Sequence, residues 1–540
     1  IADENSDGVI DIRDVWDRDG DWLPDNYYEA GSPEALVDGL RAAFSSIRAQ
    51  IASAVGINTS TRSVELQTDT GIFRVNYDPS FWSGNVVGYT YSGFDEASGN
   101  ITAVQKWNAA EKLASQGWDN GRRIVTWTKN SPTATGGTAK PFRWNQLAEW
   151  QQTALNNDSQ VLEWLRGRND IGAFRKRLRK TETGTIVETK LGDIIDSEAR
   201  YVGAPNAPYS DAYNPGYGTF KTTWKDRREM LYVGANDGML HAFDASVTGA
   251  DGGKEIFAYV PSFLYSTAAG AGTGVLADLT KKNYIHRNYV NATAWIFDAD
   301  FARTNGATES SGDWRTVLIG GLGKGGRGYF AIDVTDPSAF DTESGVAGKV
   351  LWEFRDSTMG YSFGAPQVVK TKKWGWVALL TSGYNNITSH GSDGGGKGWL
   401  YVVDVKTGAL LQKISTGAGS DDTPSGLAQV TAYTPDSADG TITEVYGGDL
   451  NGNIWRFDFT SPSANVPAPE LFAKLPADQS VTSGPVVRVA PITRNRYVFV
   501  GTGRLLGQDD IYTTHQQSFY AFRDGTRLAR WESGEGDAPS

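Results

Sequence analysis

The chain has 540 residues and carries 51 Lys and Arg against 63 Asp and Glu, a net charge of −12. That balance excludes nucleic acid as the main partner, because neutralising phosphates takes a basic surface. The absence of Cys excludes a disulfide framework, a zinc–thiolate site and a thiol nucleophile, and no apolar run approaches the roughly 20 residues that span a bilayer.

The length exceeds one ordinary core, yet a β-propeller can use most of it as one unit. The chain has 63 Gly beside 18 Trp and 23 Tyr, which points to many short strands joined by tight turns. It begins at Ile1, so a fragment or a processed product is expected, with any signal peptide outside it.

Residues 1–30 form an acidic, Gly-punctuated segment; residues 1–25 hold eight Asp and one Glu against two Arg. Such an excess of carboxylates repels itself unless a cation sits there. The run from Asp3 to Asp14 fits an EF-hand-like Ca²⁺ loop: Asp3, Asn5, Asp7, Asp11 and Asp14 stand at positions 1, 3, 5, 9 and 12. Gly8 at position 6 permits the sharp turn, and Val9 can offer its backbone carbonyl. Position 12 is Asp14 rather than Glu, and no strong helix precedes the loop. A second, weaker loop follows in Asp17, Asp19, Asp21 and Asp25, with Leu23 at the carbonyl position and with Pro24 and Gly20 out of pattern.

Residues 31–74 are read as an amphipathic helix and connecting strands. Ser32 can cap the helix, Pro33 suits its first position, and Leu36, Leu40, Phe44, Ile47 and Ile51 make one apolar stripe. Residues 75–530 are read as the propeller, with a helical insertion near 143–190. Within it, a helical stretch over 144–166 carries Leu147, Leu155, Leu162 and Leu165, broken at Asn156-Asn157-Asp158-Ser159. The charged segment from 166 to 189 is expected on the surface.

Elsewhere one hairpin recurs. Leu231-Tyr232-Val233-Gly234 leads to Asn236-Asp237-Gly238 and a strand ending at Asp244. Val317-Leu318-Ile319-Gly320 leads to a strand ending at Asp333, and Leu379-Leu380-Thr381 to one ending at Asp404. Val445-Tyr446-Gly447-Gly448 leads to Asp458, and Val498-Phe499-Val500-Gly501 to Phe519-Tyr520-Ala521-Phe522. A weaker copy lies at Ser83-Gly84-Asn85-Val86-Val87-Gly88-Tyr89. An apolar strand, a Gly turn and an alternating strand, repeated with variable insertions, define an all-β propeller with a few accessory helices. Five clear copies and weaker ones suggest six to eight blades, with seven the favoured number.

Asp449, Asn451, Asn453 and Asp458 have spacing that could hold calcium, but the same spacing recurs in other blades, so they are read as a blade turn. The glycines over 323–328 precede a strand, whereas phosphate-cradling loops open a helix. His241 belongs to a blade strand and is read as structural, and His286, His390 and His515 lie in unrelated contexts. No Ser–His–Asp pattern or His cluster is present, so catalysis is not expected.

The blades resemble the C-terminal domain of the PilY family, which includes the neisserial PilC adhesins. The resemblance rests on the stretch from Tyr232 to Asp244, on Gly320-Gly321-Leu322-Gly323-Lys324-Gly325-Gly326-Arg327-Gly328, on Leu351-Trp352-Glu353-Phe354 followed by Gly360-Tyr361-Ser362-Phe363-Gly364, and on the stretch from Gly448 to Asp458. The Gly-rich run is the most specific of these. Together they span roughly residues 75–525 in the family's order. The resemblance implies a secreted protein at the bacterial cell surface and pilus tip, acting in type IV pilus biogenesis, twitching motility, adhesion and virulence. It implies pilins and a host surface receptor as partners, and Ca²⁺ occupancy that regulates pilus extension and retraction. Family members carry a nine-residue calcium loop, which Asp3, Asn5, Asp7, Val9 and Asp11 match. The rival reading is a quinoprotein dehydrogenase, whose blades use similar Asp-Gly turns and which binds Ca²⁺ beside its quinone; against it, no Cys pair is available to flank a cofactor.

Overall fold

The computed structural model describes residues 58–59, 71–95, 100–265, 276–305, 312–476, 478–490, 493 and 495–524. The expected helix over 36–51 and both acidic loops lie outside the described residues. What is described is built mainly of strands, in six sheets of three or more strands and one small hairpin.

The first sheet comprises Asn58–Thr59, Gly71–Asp78, Ser83–Asp95 and Asn100–Asn108. The third runs Trp295–Asp300, Trp314–Gly321, Tyr329–Asp333, Val350–Phe354, and the fourth runs Gln367–Thr371, Gly375–Thr381, Trp399–Asp404, Leu410–Ser415. The fifth is Leu427–Tyr433, Glu444–Asp449, Asn453–Asp458, Glu470–Lys474, and the sixth is Val486–Val489, Arg496–Gly501, Phe519–Asp524. Each is an antiparallel meander in chain order, which is the blade of a propeller. All five hairpins expected from the repeat are present as the second and third strands of the third to sixth sheets and the paired strands Met230–Ala235 and Met239–Asp244 of the second.

The second sheet departs from the pattern. To Arg200–Val202, Met230–Ala235, Met239–Asp244 and Glu255–Val260 it adds Ile124–Thr128 and Thr138–Pro141, with Ile124–Thr128 lying parallel to Glu255–Val260. These two strands, which precede the insertion expected near 143–190, extend a blade, and the described residues supply six such sheets where the repeat suggested six to eight blades.

The third strands of four sheets end in Asp244, Asp333, Asp404 and Asp458. In each, Oδ1 accepts the backbone N–H two residues on, from Ser246 at 2.9 Å, Thr335 at 3.0 Å, Lys406 at 3.1 Å and Thr460 at 2.8 Å. This Asx turn sends the chain back toward its outer strand and explains the recurrent Asp.

The helical insertion breaks where expected. Helices Glu149–Ala154 and Ser159–Arg166 are separated by Asn156 and Asn157, both at positive φ, and Asp158 caps the second by accepting from Gln160 N. The segment after it folds into the hairpin Leu178–Lys180 with Ile186–Glu188 and lies largely at the surface, as expected, but its Arg177 and Arg179 are buried, not solvated. Charge alone suggested a surface, but Arg177 packs on the Trp164 ring and bonds to Asn169, and Arg179 pairs with Glu111. Among the described residues no helix is long and apolar enough to cross a membrane.

The core lies between successive sheets. Phe73 and Val86 meet Leu231 and Val233; Tyr232 and Leu240 meet Leu318 and Phe330; Ile319 and Ala331 meet Trp376 and Tyr401; Leu379 and Val402 meet Val430 and Val445; Tyr446 and Ile454 meet Val498 and Val500. A sheet covered on both faces needs apolar residues at every position, and Met230–Ala235 and Met239–Asp244 are buried throughout.

Backbone bonds join the same sheets at one end. The segment leading into each sheet bonds both to the sheet before and to its own second strand. Gly84 N donates to Leu191 O and Asn236 N to Asp193 O; Val290 N donates to Ala235 O and Asn291 N to Leu322 O. Gly323 N donates to Ser362 O at 3.2 Å and Tyr361 N to Tyr384 O at 2.7 Å. Gly383 N donates to Leu427 O and Leu450 N to Ser425 O; Val481 N donates to Asp449 O and Gly503 N to Ser480 O.

These close approaches leave no room for side chains. A Cβ on Gly325 would fall 1.7 Å from Tyr289 O. Gly325→Ala is expected to cost about 1–3 kcal/mol, whereas Gly172→Ala, with nothing within 4 Å of its Cβ, should be near neutral. Urea unfolding of the two variants beside the parent checks this, and equal midpoints for both would show that the junction yields freely.

Candidate functional site

The Ca²⁺ ligands expected at Asp3, Asn5, Asp7, Val9, Asp11 and Asp14, and at Asp17, Asp19, Asp21 and Asp25, lie outside the described residues. Among the described residues, no group of three or more His, Cys, Asp or Glu is placed to hold a metal ion.

The densest buried charge lies where the insertion meets the second sheet. The parallel pairing of Ile124–Thr128 with Glu255–Val260 brings Arg122, just before one strand, onto Glu255 at the start of the other. Arg122 Nε donates to Glu255 Oε2 at 2.6 Å and Nη2 to Oε1 at 2.7 Å, a bidentate pair with both side chains fully buried. His241 Nδ1 lies 2.7 Å from Glu255 Oε1, and its Nε2 lies 3.1 Å from both oxygens of Asp237. Asp237 also accepts from Gly192 N at 2.8 Å, which ties the segment leading into the sheet to the same network. Next to it, Asp193 accepts from Asn236 Nδ2 at 2.7 Å and lies 2.9 Å from His286 Nε2.

Burial by itself would lower the His241 imidazole, but the charge and hydrogen bond of Asp237, and then Glu255, raise its pKa to about 9. Burial would raise the Glu255 carboxyl; the charge and hydrogen bonds of Arg122, with His241, hold it at about 2. Both ring nitrogens of His241 face carboxylates, and His241 itself is fully buried. The relay therefore has no open valence for a substrate, and its chemistry is that of a clamp. This agrees with the structural reading of His241. His390 and His515 are exposed, and His515 Nδ1 lies 3.3 Å from Asp478.

Asp449 is a blade turn in the structure too. It is fully buried, and its carboxylate accepts from Asn451 N at 2.9 Å, Asn453 N at 3.0 Å, Asn453 Nδ2 at 2.7 Å and Trp455 Nε1 at 2.9 Å. A cation cage presents oxygens to the centre, whereas here N–H groups fill it. Asp458 points elsewhere, capping Thr460. In the Gly-rich run, Leu322 N donates to Ser362 Oγ at 2.9 Å, and Ser362 N returns a bond to Gly326 O at 3.0 Å. Two of the four stretches that carry the family resemblance are thus mated to each other across adjacent sheets.

The Arg122–Glu255 pair was not foreseen. Its members are 133 residues apart, and no local spacing links them. The one available signal was a His inside an otherwise apolar strand. A second unforeseen network joins the last two sheets: Asp524 pairs with Arg456 at 2.7 Å and Arg496 at 2.6 Å and accepts from Tyr446.

Comparison with known proteins places these features. The family described as the PilY1 beta-propeller domain matches residues 191–531. A type IV pilus biogenesis factor PilY1 homolog of Xylella fastidiosa is 32% identical over 518 residues, covering 93% of this chain and 37% of that protein. Type IV pilus biogenesis factor PilY1 of Pseudomonas aeruginosa strain PAO1 is 30% identical over 561 residues, covering 92% of this chain and 43% of its own length. The chain therefore spans less than half of the relatives it matches. The crystal structure of the Pseudomonas aeruginosa PilY1 C-terminal domain aligns with a TM-score of 0.47 and 29% identity, covering 62% of this chain and 67% of that one.

The buried relay makes two outcomes measurable. Glu255→Ala strands two buried cations and should cost about 3–5 kcal/mol of stability. The His241 pKa is raised from 6.5 to about 9 in the fold, so its stabilisation is complete below pH 6.5 and is lost as pH rises through 9. Thermal midpoints of the parent should fall across that window, and His241→Gln, which cannot titrate, should lack that component of the fall.

Proposed function

This chain belongs to the PilY1 family and contains its β-propeller domain, and on that premise we propose that it is the propeller part of a type IV pilus biogenesis factor that works as a calcium-responsive adhesin at the pilus tip. The observation that carries the reading is the match to pilus biogenesis factors over more than nine-tenths of the chain. The mating of the Gly-rich run with Gly360-Tyr361-Ser362-Phe363-Gly364 supports it, since residues that mark the family are used here to join its blades.

In this reading Asp3, Asn5, Asp7, Asp11 and Asp14 supply side-chain oxygens to Ca²⁺ and Val9 a carbonyl. The donor set suits the ion: hard oxygens at alternating positions with Gly8 at the turn. Asp17, Asp19, Asp21 and Asp25 form the second, weaker set. Bound Ca²⁺ would offset the repulsion among these carboxylates. The partners are pilins and a host surface receptor, the location is the bacterial cell surface, and calcium occupancy biases pilus extension against retraction and hence twitching.

Asp7→Ala removes a central ligand and should weaken Ca²⁺ binding about tenfold or more, and Asp11→Lys should abolish it by placing an ammonium at the site. Calorimetric titration beside a piliation and twitching assay of the same variants tests this. Parental Ca²⁺ affinity in Asp7→Ala would refute the loop assignment. Lost affinity with unchanged piliation and twitching would refute the regulatory role and leave the loop as a clamp.

A further inference from the structure

Beside the relay lies a small cleft walled by Trp82, Trp164, Tyr284, Arg175, Arg177 and Asp193, with Gly192 and Asp237 also on its surface. Its two guanidiniums are unlike the other buried arginines. Arg122 reaches Glu255 at 2.6 Å, Arg166 reaches Glu343 at 3.0 Å and Arg179 reaches Glu111 at 3.4 Å. Arg177 is only 5% exposed, yet its Nε and Nη2 donate to nothing more than the amide oxygen of Asn169, at 3.1 and 3.0 Å. Its guanidinium otherwise lies on the Trp164 ring, 4.1 Å from the centroid. Arg175 donates from Nε to Leu279 O at 2.6 Å and stacks 4.3 Å from Tyr284. Among the described residues neither pairs with a carboxylate. Arg327 shares that lack but faces no such cleft.

The nearby carboxylates are engaged elsewhere. Arg122 pairs with Glu255, and protonated His241 with Asp237. Asp193 is engaged by Asn236 and His286, and Glu188, whose charge reaches Arg177, accepts from Asn169 and lies 3.8 Å from Lys176. Neither guanidinium of the cleft therefore has a carboxylate in direct contact, and a buried cation so placed is costly. Burial, and the charges of Arg122 and Arg175, lower the Arg177 pKa to about 9. The wall is also strained: Trp82 has φ +51°, a conformation rare for an aromatic residue, and stacks on His286 at 3.8 Å.

We propose that this cleft is an anion site that takes one monatomic ion of the halide class, held by Arg175 and Arg177. Size selects the class. The cleft has room for about one water-sized particle, which favours a monatomic anion over phosphate, sulfate or an organic acid.

The test is thermal unfolding at constant ionic strength, with sodium chloride or bromide replacing sodium gluconate, whose anion is too large to enter. The parent midpoint should rise by a few degrees with halide and then saturate. Arg177→Gln should lose that rise, and Arg177→Lys should keep part of it. Because the Gln variant could unfold for other reasons, bromide-soaked crystals of the parent provide an independent reading: an anomalous peak within contact distance of Arg177 is expected. The site is overturned by a parent midpoint indifferent to halide with no such peak, or by a halide response undiminished in folded Arg177→Gln.

Discussion

The arrangement depends on one repeated constraint, the sharing of backbone hydrogen bonds by the segments that lead into each sheet. Five such segments, around residues 191–193, 290–291, 361–362, 425–427 and 480–481, each bond backward to the preceding sheet and forward to their own. Apolar faces alone set no register between sheets, because dispersion and hydrophobic contact are non-directional. The backbone bonds do. Each contributes only about 0.5–1.5 kcal/mol net, but leaving a buried partner unmade costs more. That asymmetry makes the junction specific, and it accounts for glycines where carbonyls come within contact of the chain, as at Gly325 and at Gly383, whose φ is +63°.

Beyond these junctions the sheets differ in what extends them. The second sheet is extended by Ile124–Thr128 and Thr138–Pro141, and the parallel strand Ile124–Thr128 is anchored by Arg122 on Glu255. A buried ion pair of this kind is weak as a source of stability and strong as a device for specificity, since any other docking of that strand leaves both charges unpaired. Asp524 plays a comparable part in the sixth sheet, where the carboxylate that elsewhere caps a turn instead takes two arginines from neighbouring strands.

The functional reading follows from this division of labour. The residues most characteristic of the family serve the junctions between blades, so they identify the chain without being a site. The chemistry proposed for calcium belongs to the acidic segment at residues 1–25.

Sequence alone determined the blades. Strand, Gly turn, strand and terminal Asp are local events, set by burial on both faces, by φ at the turn and by an Asx bond two residues long, and all five hairpins are legible from their own residues. The break at Asn156 and Asn157 is local in the same sense, because both take a left-handed backbone that Asn tolerates. The acidic loops were legible as a donor pattern for the same reason. Tertiary structure decided whatever joined distant segments: the parallel pairing of Ile124–Thr128 with Glu255–Val260, the pairing of Arg122 with Glu255 across 133 residues, and the burial of Arg177 and Arg179. A charged side chain reads as solvated until a partner or a ring reaches it, and which one reaches it depends on how the whole chain packs, not on its neighbours in sequence.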